Sequence, residues 1–273
     1  MWAVILGVTG GTGAAVARTL ARDHALDIFG VHRGHYPEQA REVVEAVQRA
    51  GRSCQMRVSG AATPDEVREG IRELASVAGP RSVRAFVHAI ANASYGHFLA
   101  PGRKRFEPAH FDKTMCAMAH SFVYWVQALK DEDLLADGAR MIAFSNPMVD
   151  SVVLGWGLAA AAKAALEQYV RHLVHELGPL GHRVVLVKFG LVETIAVRRA
   201  FDEHEWARVC GEIAAGTPAR RLQTVQEVAQ VVSRMVGPDG DWFRAATIDL
   251  TGGQTGALLD RIFNRGGPAR EGA

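Results

Sequence analysis

Three side chains that can hold or polarise a small molecule are close together in the sequence: Asn146, Trp156 and Lys163. Asn146 follows an apolar run that ends in Phe-Ser, and Lys163 stands near the start of an alanine-rich segment. The amide N–H of Asn146 can donate to a substrate oxygen as an oxyanion-type stabiliser. The indole N–H of Trp156 is also a donor, but it does not release its proton at neutral pH. These residues predict a polarising site without its own acid, which suits enolate formation or protonation by water or substrate.

Two of these side chains also have plainer interpretations. Trp156 can be a wall of the pocket, and Asn146 can be a turn residue that bonds its own backbone. Lys163 is more safely a residue that holds a cofactor than an acid. The sequence leaves these alternatives open.

Apolar strand-like runs alternate with helix-like patterns along the chain, and these elements must position the site. The predicted strands are Trp2–Val8, Leu26–His32, Ser53–Val58, Arg84–Ala89, Arg140–Phe144, Arg183–Lys188 and Ala246–Leu250. The predicted helices are Ala14–Arg22, Glu38–Arg49, Pro64–Val77, Pro108–Leu129, Leu158–Leu177 and Val225–Met235. Such alternation favours parallel strands with crossover helices on both faces. We predict a single doubly wound α/β Rossmann domain over residues 1–263 with a mostly parallel seven-stranded sheet, and a mobile tail over 264–273.

A glycine-rich turn follows the first predicted strand, in GVTGGTGAAVA from Gly7 to Ala17. Such a turn exposes backbone N–H groups to a pyrophosphate, and the helix that follows adds its partial positive charge. Gly10 and Gly13 allow the tight turn, and Thr9 and Thr12 add hydroxyl groups. Because the turn opens a strand-turn-helix unit, it predicts nucleotide binding.

The second predicted strand ends in His32 and Arg33, where no carboxylate is present. A carboxylate at this point would bond the ribose of NAD. An arginine can instead face a 2′-phosphate. We therefore predict NADPH as the cofactor, although a solvent-facing basic loop would give the same pattern.

Taken together, these motifs resemble the short-chain dehydrogenase/reductase family. The resemblance covers Trp2 to about Gly256 and rests on TGGTG, Ser145, Lys163, GLVET from Gly190 and DLTGG from Asp249. Within the family, VHAIA from Val87, GLVETIA and the register around Lys163 are most similar to enoyl-acyl-carrier-protein reductases. The resemblance implies hydride transfer from a nicotinamide. It also implies cofactor contacts at Gly7, Thr9, Gly10, Thr12, Gly13, His32, Arg33, Arg57, Val58, Ala89, Ala91, Lys163, Gly190, Val192 and Thr194.

The sequence departs from the family at most of its catalytic positions. The two tyrosine spacings of the family fall on Ala159 and Trp156, and the usual serine position is Asn146. The asparagine of the common proton relay falls on Ala117, and an aspartate that often touches the adenine falls near Arg57. Of the usual catalytic set, Lys163 alone is retained.

Other side chains are candidates for the missing acid or for substrate binding. Tyr95 and His97 follow the fourth predicted strand, where the substrate pocket should begin. His120 falls at a position that often faces the active site. Each of these is also compatible with an ordinary loop, core or interface role. We hypothesise that no phenol replaces the missing tyrosine, and we place Tyr95, His97, Asn146 and Trp156 at the substrate.

A variable segment around residues 195–220 corresponds to the region that covers the substrate in the family. Phe201, Trp206 and Val209 give it an apolar stripe at helical spacing. The stripe fits a lid over an apolar substrate, and it equally fits a helix packed on the core.

Composition sets the broad class of protein. The 273 residues carry a net charge of +2 and three widely spaced cysteines. These values give no argument for nucleic acid, a metal site or a disulfide framework, and they favour a reducing cytoplasm. No leader pattern precedes the first strand, and the longest apolar stretch is too short to span a bilayer. We expect a cytoplasmic protein with no membrane partner.

We expect an atypical NADPH-dependent reductase that acts on a carbonyl or conjugated enoyl group of a bulky apolar substrate. The resemblance implies polyketide-like or fatty-acyl substrates, with an acyl thioester or an acyl carrier protein as partner. It also implies a homodimer or homotetramer through the helix near 158–177, whose apolar residues exceed what one sheet face needs. The alternatives are a cyclase, dehydratase or isomerase on the same fold, and a nucleotide-sensing binding protein.

Overall fold

The structure is a computed structural model that describes residues 1–99, 102–198, 202–243 and 247–254. Its strands are β1 (Trp2–Leu6), β2 (Asp27–His32), β3 (Cys54–Val58), β4 (Val83–His88), β5 (Leu135–Ser145), β6 (Arg183–Phe189) and β7 (Thr247–Leu250). Its α-helices are α1 (Gly11–His24), α2 (Pro37–Arg49), α3 (Pro64–Val77), α4 (Pro108–Met115), α5 (Ser121–Asp131), α6 (Gly157–Leu177), α7 (Ile195–Arg198), α8 (Glu203–Gly216) and α9 (Val225–Val236). The predicted tail at 264–273 lies outside the described residues.

The seven strands form one sheet in the order β3-β2-β1-β4-β5-β6-β7, and every neighbouring pair is parallel. The predicted α/β Rossmann architecture with a seven-stranded sheet is therefore confirmed. The order reverses between β1 and β4, and the crevice outside the carboxyl ends of the strands at such a point is where ligands bind in open α/β sheets.

Alternate strand residues build a separate core on each face of the sheet. In β1, Ala3 and Ile5 pack on the face covered by α1, α2 and α9, whereas Val4 and Leu6 pack under α3, α5 and α6. Helices bury both faces of the sheet, and this is favourable because the strands carry apolar side chains on both sides. The sheet is thus a rigid frame whose carboxyl edge carries the loops of interest.

The predicted helix Pro108–Leu129 is not continuous. A π-helical turn, Cys116–His120, separates α4 from α5. The hydroxyl of Ser121 donates to the carbonyl of Ala117 at 3.0 Å, which gives that carbonyl a partner besides the helix backbone. The Ser121 hydroxyl lies 2.8 Å from Nε2 of His88 at the end of β4. This widened turn ties the helix to the strand end beside the candidate site.

The segment after β6 contains two helices, α7 and α8, whereas the apolar stripe in its sequence suggests a single helix. Helix α8 begins with a capping box in which Asp202 and Glu205 bond each other's backbone N–H. Trp206 is buried, and the guanidinium of Arg198 lies 5.9 Å from the centre of its ring. Phe201, the first residue of the predicted stripe, lies outside the described residues.

Candidate active site

The glycine-rich turn after β1 is built so that three backbone segments meet without side chains between them. Gly7 has φ of +79°, and a Cβ there would stand 2.6 Å from the carbonyl oxygen of Ala89. A Cβ on Gly13 would stand 2.3 Å from the carbonyl oxygen of Gly7. Substitution at either glycine would therefore push the turn away from β4 or α1. Val16, three residues after Gly13, packs in the core.

Helix α1 begins at this turn with no side-chain cap. Its N-cap is Gly10, and its first turn contains no acidic residue. The first N–H groups of a helix have no partner within the helix, and the aligned peptide dipoles make this end positive. Since the first turn of α1 carries no carboxylate of its own, this helix end fits an anion such as a pyrophosphate.

A cleft of about 390 Å³ runs from this turn across the ends of β1, β2 and β4. Of the predicted cofactor residues, the cleft is lined by Gly7, Thr9, Gly10, Thr12, Gly13, His32, Arg33, Ala89, Ala91 and Thr194. Residues that line it but that the sequence interpretation missed include Arg18, His35, Tyr36, Gln39, Ser59, Asn92 and Glu193. The sequence feature that could have identified them is their position, since each follows or faces the carboxyl end of one of the predicted strands.

Basic side chains gather at the β2 end of the cleft. Arg33 reaches across to β4, where its Nη1 donates to Oδ1 of Asn92 at 3.0 Å. His32 is buried, its Nδ1 accepts from the backbone N–H of Gly34 at 3.2 Å, and burial lowers its pKa. Arg18 and His35 also line the cleft. Glu42 on α2 is the acidic side chain that lies among them.

Five of the predicted cofactor residues do not line the cleft: Arg57, Val58, Gly190, Val192 and Lys163, of which Lys163 is described below. Arg57 pairs with Glu69 at 2.7 Å and with Glu73 at 2.6 Å on α3, so its charge is already neutralised. Val58 is exposed on the edge strand. Val192 is buried and forms an isolated backbone β-bridge with Gln223. The side chain of Gln254 fills the space beside Gly190. Arg57 and Val58 lie within β3, and Gly190 and Val192 follow β6; local pairing and packing keep all four out of the cleft wall.

Lys163 lies on α6 with its ammonium directed at the floor of the cleft. The side chain is buried, and its Nζ donates to the carbonyl oxygen of Ile90 at 3.3 Å. Ile90 itself lines the cleft. Burial lowers the pKa of Lys163 to about 8, and the negative charge of Glu167 partly opposes this shift. Lys163 is thus next to the cleft although it is not part of its wall.

The segment that follows β4 runs along the first turns of α6. Lys163 contacts Ile90, Ala159 packs with Ala93, and Trp156 packs against Tyr95. The rings of Tyr95 and Trp156 meet edge to face with centroids 4.6 Å apart. A phenol from the β4 loop thus lies beside the position where the enoyl reductases carry their own tyrosine. Burial raises the pKa of Tyr95, so this phenol is protonated at neutral pH.

The position of the other tyrosine spacing is filled by packing. Ala159 is 2% exposed and belongs to a small apolar cluster with Met118 and Ala162. Ala93 and Met115 pack against the same cluster. No cavity is left there for a polar side chain among the described residues.

Two histidines near the site are engaged in the core. Burial lowers the pKa of His88 to about 3, and the positive charge of Lys163 acts in the same direction, so His88 is neutral. His120 bonds the hydroxyl of Tyr169 through Nδ1 at 3.1 Å. The structure therefore gives His120 a packing partner on α6. His97 lines a separate cavity with Tyr95 and Trp156.

Asn146 begins a short 3₁₀ turn, Pro147–Val149, directly after β5. Its Oδ1 accepts from the backbone N–H of Met148 at 3.1 Å. The turn interpretation of Asn146 is therefore correct for its oxygen. Its amide nitrogen has no hydrogen-bond partner within the described part of the chain, and Asn146 lines neither the dinucleotide cleft nor the cavity beside Trp156.

A buried ionic network lies under this turn. The hydroxyl of Ser145 donates to Oε1 of Glu167 at 2.6 Å, and Nζ of Lys188 lies 3.2 Å from the same oxygen. Lys188 also donates to Asp150 at 2.8 Å. Burial disfavours the charge of Lys188, but the bond to Asp150 and the charge of Glu167 outweigh it and hold its pKa above the usual value. We call these four residues the ionic clamp.

Residues 1–99, 102–198, 202–243 and 247–254 contain neither a candidate membrane-spanning helix nor a candidate metal site. None of their helices combines the length and apolarity that a membrane crossing needs. Their His, Cys, Asp and Glu side chains form no group of three that could hold a metal ion.

Comparison with known proteins agrees with this architecture. Dehydrogenase OXI1 of Cochliobolus heterostrophus is 35% identical over 120 residues, which are 44% of this chain and only 52% of that protein's length. The 1-cyclohexenylcarbonyl-CoA reductase of Streptomyces collinus is 26% identical over 255 residues, which are 92% of this chain and 85% of that protein. A short chain dehydrogenase from Burkholderia cenocepacia J2315, solved in complex with NADP, has a TM-score of 0.77 at 25% identity and covers 93% of this chain and 97% of its own.

The family assignment rests on a match that includes nearly the whole chain. Residues 7–255 match the family described as Enoyl-(Acyl carrier protein) reductase. The matched region begins at the first glycine of the turn and includes Lys163 and the last strand of the sheet. The chain therefore belongs to the enoyl-(acyl carrier protein) reductase-like group of the short-chain dehydrogenase/reductase family, whose members are oxidoreductases.

Proposed function

We propose that this protein is an atypical NADPH-dependent reductase that transfers hydride to a carbonyl or conjugated enoyl group of a bulky, largely apolar substrate. The observation that carries the proposal is the uncapped, acid-free start of α1 beside a cleft whose floor meets Lys163. The site fits the pyrophosphate and ribose of a dinucleotide. When bound, a reduced nicotinamide supplies the hydride.

The choice of NADPH over NADH is supported by charge. Arg18, Arg33 and His35 line the β2 end of the cleft, and residues 33–37, directly after β2, include no carboxylate. A 2′-phosphate is complementary to guanidinium groups, which bind it through paired N–H donors. The short chain dehydrogenase from Burkholderia cenocepacia was solved in complex with NADP. To accept a 2′-phosphate, Arg33 would exchange its bond to Asn92 for the ligand.

The residues of this chain have separate roles in the proposed reaction. Lys163 holds the nicotinamide ribose at the floor of the cleft. The free amide N–H of Asn146 donates to the substrate oxygen as negative charge develops there, and the indole N–H of Trp156 assists it. Tyr95 and His97 contact the substrate. Solvent or the substrate itself supplies the final proton, because positions 156 and 159 hold no phenol.

The substrate class is supported by one relative and by the site. The Streptomyces collinus relative is named for a coenzyme A thioester with a ring next to its carbonyl. Tyr95, Trp156 and the exposed Phe98 and Leu99 offer apolar contacts near the end of β4. We therefore propose an enoyl or keto thioester of a bulky acyl group.

One assay separates this function from its alternatives. The protein is incubated with NADPH and a panel of enones and enoyl thioesters, and the nicotinamide absorbance is followed together with product formation. We expect slow turnover that consumes NADPH in proportion to product. Product without NADPH consumption would instead establish a cyclase, dehydratase or isomerase, and tight NADPH binding without any product would establish a nucleotide sensor.

A further inference from the structure

A second cavity, of about 650 Å³, opens beside Trp156 and is separate from the dinucleotide cleft. Tyr95 and His97 line it from the β4 loop, and Arg103 and Lys104 line it from the residues before α4. It therefore joins three of the proposed substrate residues, Tyr95, His97 and Trp156, to two basic side chains for which the reaction has no use.

Backbone hydrogen bonds fix the basic residues in this place. The N–H of Gly96 donates to the carbonyl of Gly155 at 3.0 Å, which ties the β4 loop to the residue before Trp156. The N–H of His97 donates to Lys104 at 2.8 Å, and the N–H of Phe106 donates back to His97 at 3.0 Å. The loop that carries the positive charge is thus folded onto the start of α6.

The positive charge of this loop is not neutralised by neighbouring side chains. Arg103, Lys104 and Arg105 are consecutive and exposed, and none forms an ion pair within the described part of the chain. Glu107, the next acidic residue in sequence, is the N-cap of α4, where its backbone N–H donates to Nδ1 of His110 at 2.9 Å and its carboxylate pairs with none of the three basic side chains. An anion in the cavity would therefore gain charge-assisted hydrogen bonds without first displacing a carboxylate.

Exposed apolar side chains flank the same loop. Phe98 is 52% exposed, Leu99 is 79% exposed, and Leu154, which precedes the tied Gly155, is 82% exposed. Neighbouring exposed apolar side chains of this size mark contact with an apolar ligand or surface. Together with the basic loop, they fit a ligand that is apolar at one end and anionic at the other.

We infer that this cavity is the binding site for the phosphate-bearing part of the thioester carrier, coenzyme A, with Arg103 and Lys104 as its phosphate ligands. The inference rests on the proposed function and specifies its substrate as a carrier-bound thioester. A small soluble carrier is favoured over a lipid surface because Arg103 and Lys104 line the same open cavity as Tyr95, His97 and Trp156, which we place at the substrate.

The test compares two forms of one substrate. The same enoyl group is offered as its coenzyme A thioester and as its N-acetylcysteamine thioester, which has no phosphate. The double variant R103A/K104A should raise KM for the coenzyme A thioester roughly tenfold and leave KM for the short thioester unchanged. Arg105→Ala is the matched control, because it removes the same charge from the same loop but not from the cavity wall. It should change both KM values little.

A binding measurement makes the result independent of turnover. Free coenzyme A is titrated calorimetrically into the protein saturated with NADP⁺, which prevents its adenosine from entering the dinucleotide cleft. The wild type should bind, and R103A/K104A should bind roughly tenfold more weakly, with a loss that shrinks at high salt.

Three outcomes would overturn the inference while leaving the reductase intact. These are equal effects of R103A/K104A on both thioesters, equal effects of the double variant and Arg105→Ala, and absence of coenzyme A binding together with sedimentation on phosphatidylglycerol vesicles. Failure to reduce either thioester would instead overturn the proposed function, and coenzyme A binding would then still support the site.

Discussion

The hydroxyl of Ser145 donates a 2.6 Å hydrogen bond to the buried carboxylate of Glu167. Lys188 contacts the same carboxylate at 3.2 Å and extends to Asp150 at 2.8 Å. Ser145 directly precedes Asn146, and Asp150 follows the 3₁₀ turn that Asn146 begins. Both ends of the turn that presents the Asn146 amide are therefore tied to one ionic clamp.

Removing the charge at the exposed end of the ionic clamp should slow the reaction without weakening the binding of the cofactor. Asp150→Asn keeps the shape of the side chain but removes the charge that holds Lys188. We expect kcat to fall roughly ten- to a hundredfold, because a displacement of about 1 Å in a positioning group has an effect of this size. The dissociation constant of NADPH should not change, since Asp150 does not line the cleft. Asp150→Glu should restore part of kcat, and Asp131→Asn on the exposed end of α5 should have no effect. Equal losses in kcat and in NADPH affinity would show a general loss of structure instead.

The donor at position 146 and the phenol at position 95 can be separated by substitution. Asn146→Ala should lower kcat by ~10²–10³-fold, the usual effect of losing one oxyanion donor. Tyr95→Phe should cost less, and the pH profile of kcat should have no limb assignable to a phenol. The contact between Tyr95 and Trp156 makes this the sharpest test of the hypothesis. Tyr95 would instead be the acid if Tyr95→Phe lowered kcat by the ~10²–10⁴-fold typical of general acid catalysis while Asn146→Ala changed kcat little.

Arg33 should determine the preference between the two nicotinamide cofactors. Arg33→Ala removes a guanidinium from the β2 end of the cleft, so we expect weaker NADPH binding by roughly tenfold and little change for NADH. Isothermal titration with both cofactors measures this directly. Arg41→Ala on α2, outside the cleft, is the control of equal charge. Equal weakening of both cofactors by Arg33→Ala would remove the argument for a 2′-phosphate site.

Burial of Lys163 makes a prediction about stability and pH. Its pKa is lowered from 10.5 to about 8 in the folded protein, so between these values the unfolded chain binds more protons. Stability linked to this lysine should therefore rise as pH increases from about 8 to about 10.5, by an amount on the order of a few kcal/mol. The measurement is urea unfolding of wild type and Lys163→Met over this range, because other titrating groups cancel in the difference. A difference that stays flat between pH 8 and pH 10.5 would contradict burial of the ammonium.

The homodimer or homotetramer remains a prediction, but the argument from excess apolar surface on α6 does not hold. Leu166, Val170, Leu173 and Leu177, which suggested excess apolar surface on α6, pack in the core of their own chain. The expectation of a homodimer or homotetramer now rests on family membership and on the frequency of closed two-fold pairing. Light scattering at micromolar concentration should give a mass of two or four chains, and a monomer would contradict it.

The sheet was predictable because its signals are local. Each strand is a short apolar run that ends in glycine or a polar residue, and each crossover carries a helical pattern. Strand β5 begins at Leu135, five residues before its predicted start. The prediction started too late because Asp137 and Gly138 interrupt the apolar pattern of the sequence there. The π-helical turn was not predictable from periodicity, since it depends on a hydrogen bond between Ser121 and a carbonyl in the preceding turn.

The candidate site was predictable in its backbone parts and less so in its side chains. The glycine-rich turn and Lys163 have positions fixed by their own elements. Arg57 was misplaced because Glu69 and Glu73, on a helix later in sequence, compete for its charge. The ionic clamp was missed for a similar reason, since Glu167 and Lys188 look like an ordinary helix carboxylate and strand lysine until β5, β6 and α6 come together. Long-range pairing of this kind leaves no spacing signal in the sequence.

The packing of Ala159 makes the altered catalytic centre difficult to reverse. A tyrosine at this position would have to enter the contacts that Ala159 makes with Ala93, Met115 and Met118, and overfilling a packed site typically costs about 1–3 kcal/mol. Trp156, by contrast, is only partly buried and already has the width of an aromatic ring. We therefore expect a tyrosine to be accommodated more easily at position 156 than at position 159, where neighbouring side chains would have to move or shrink.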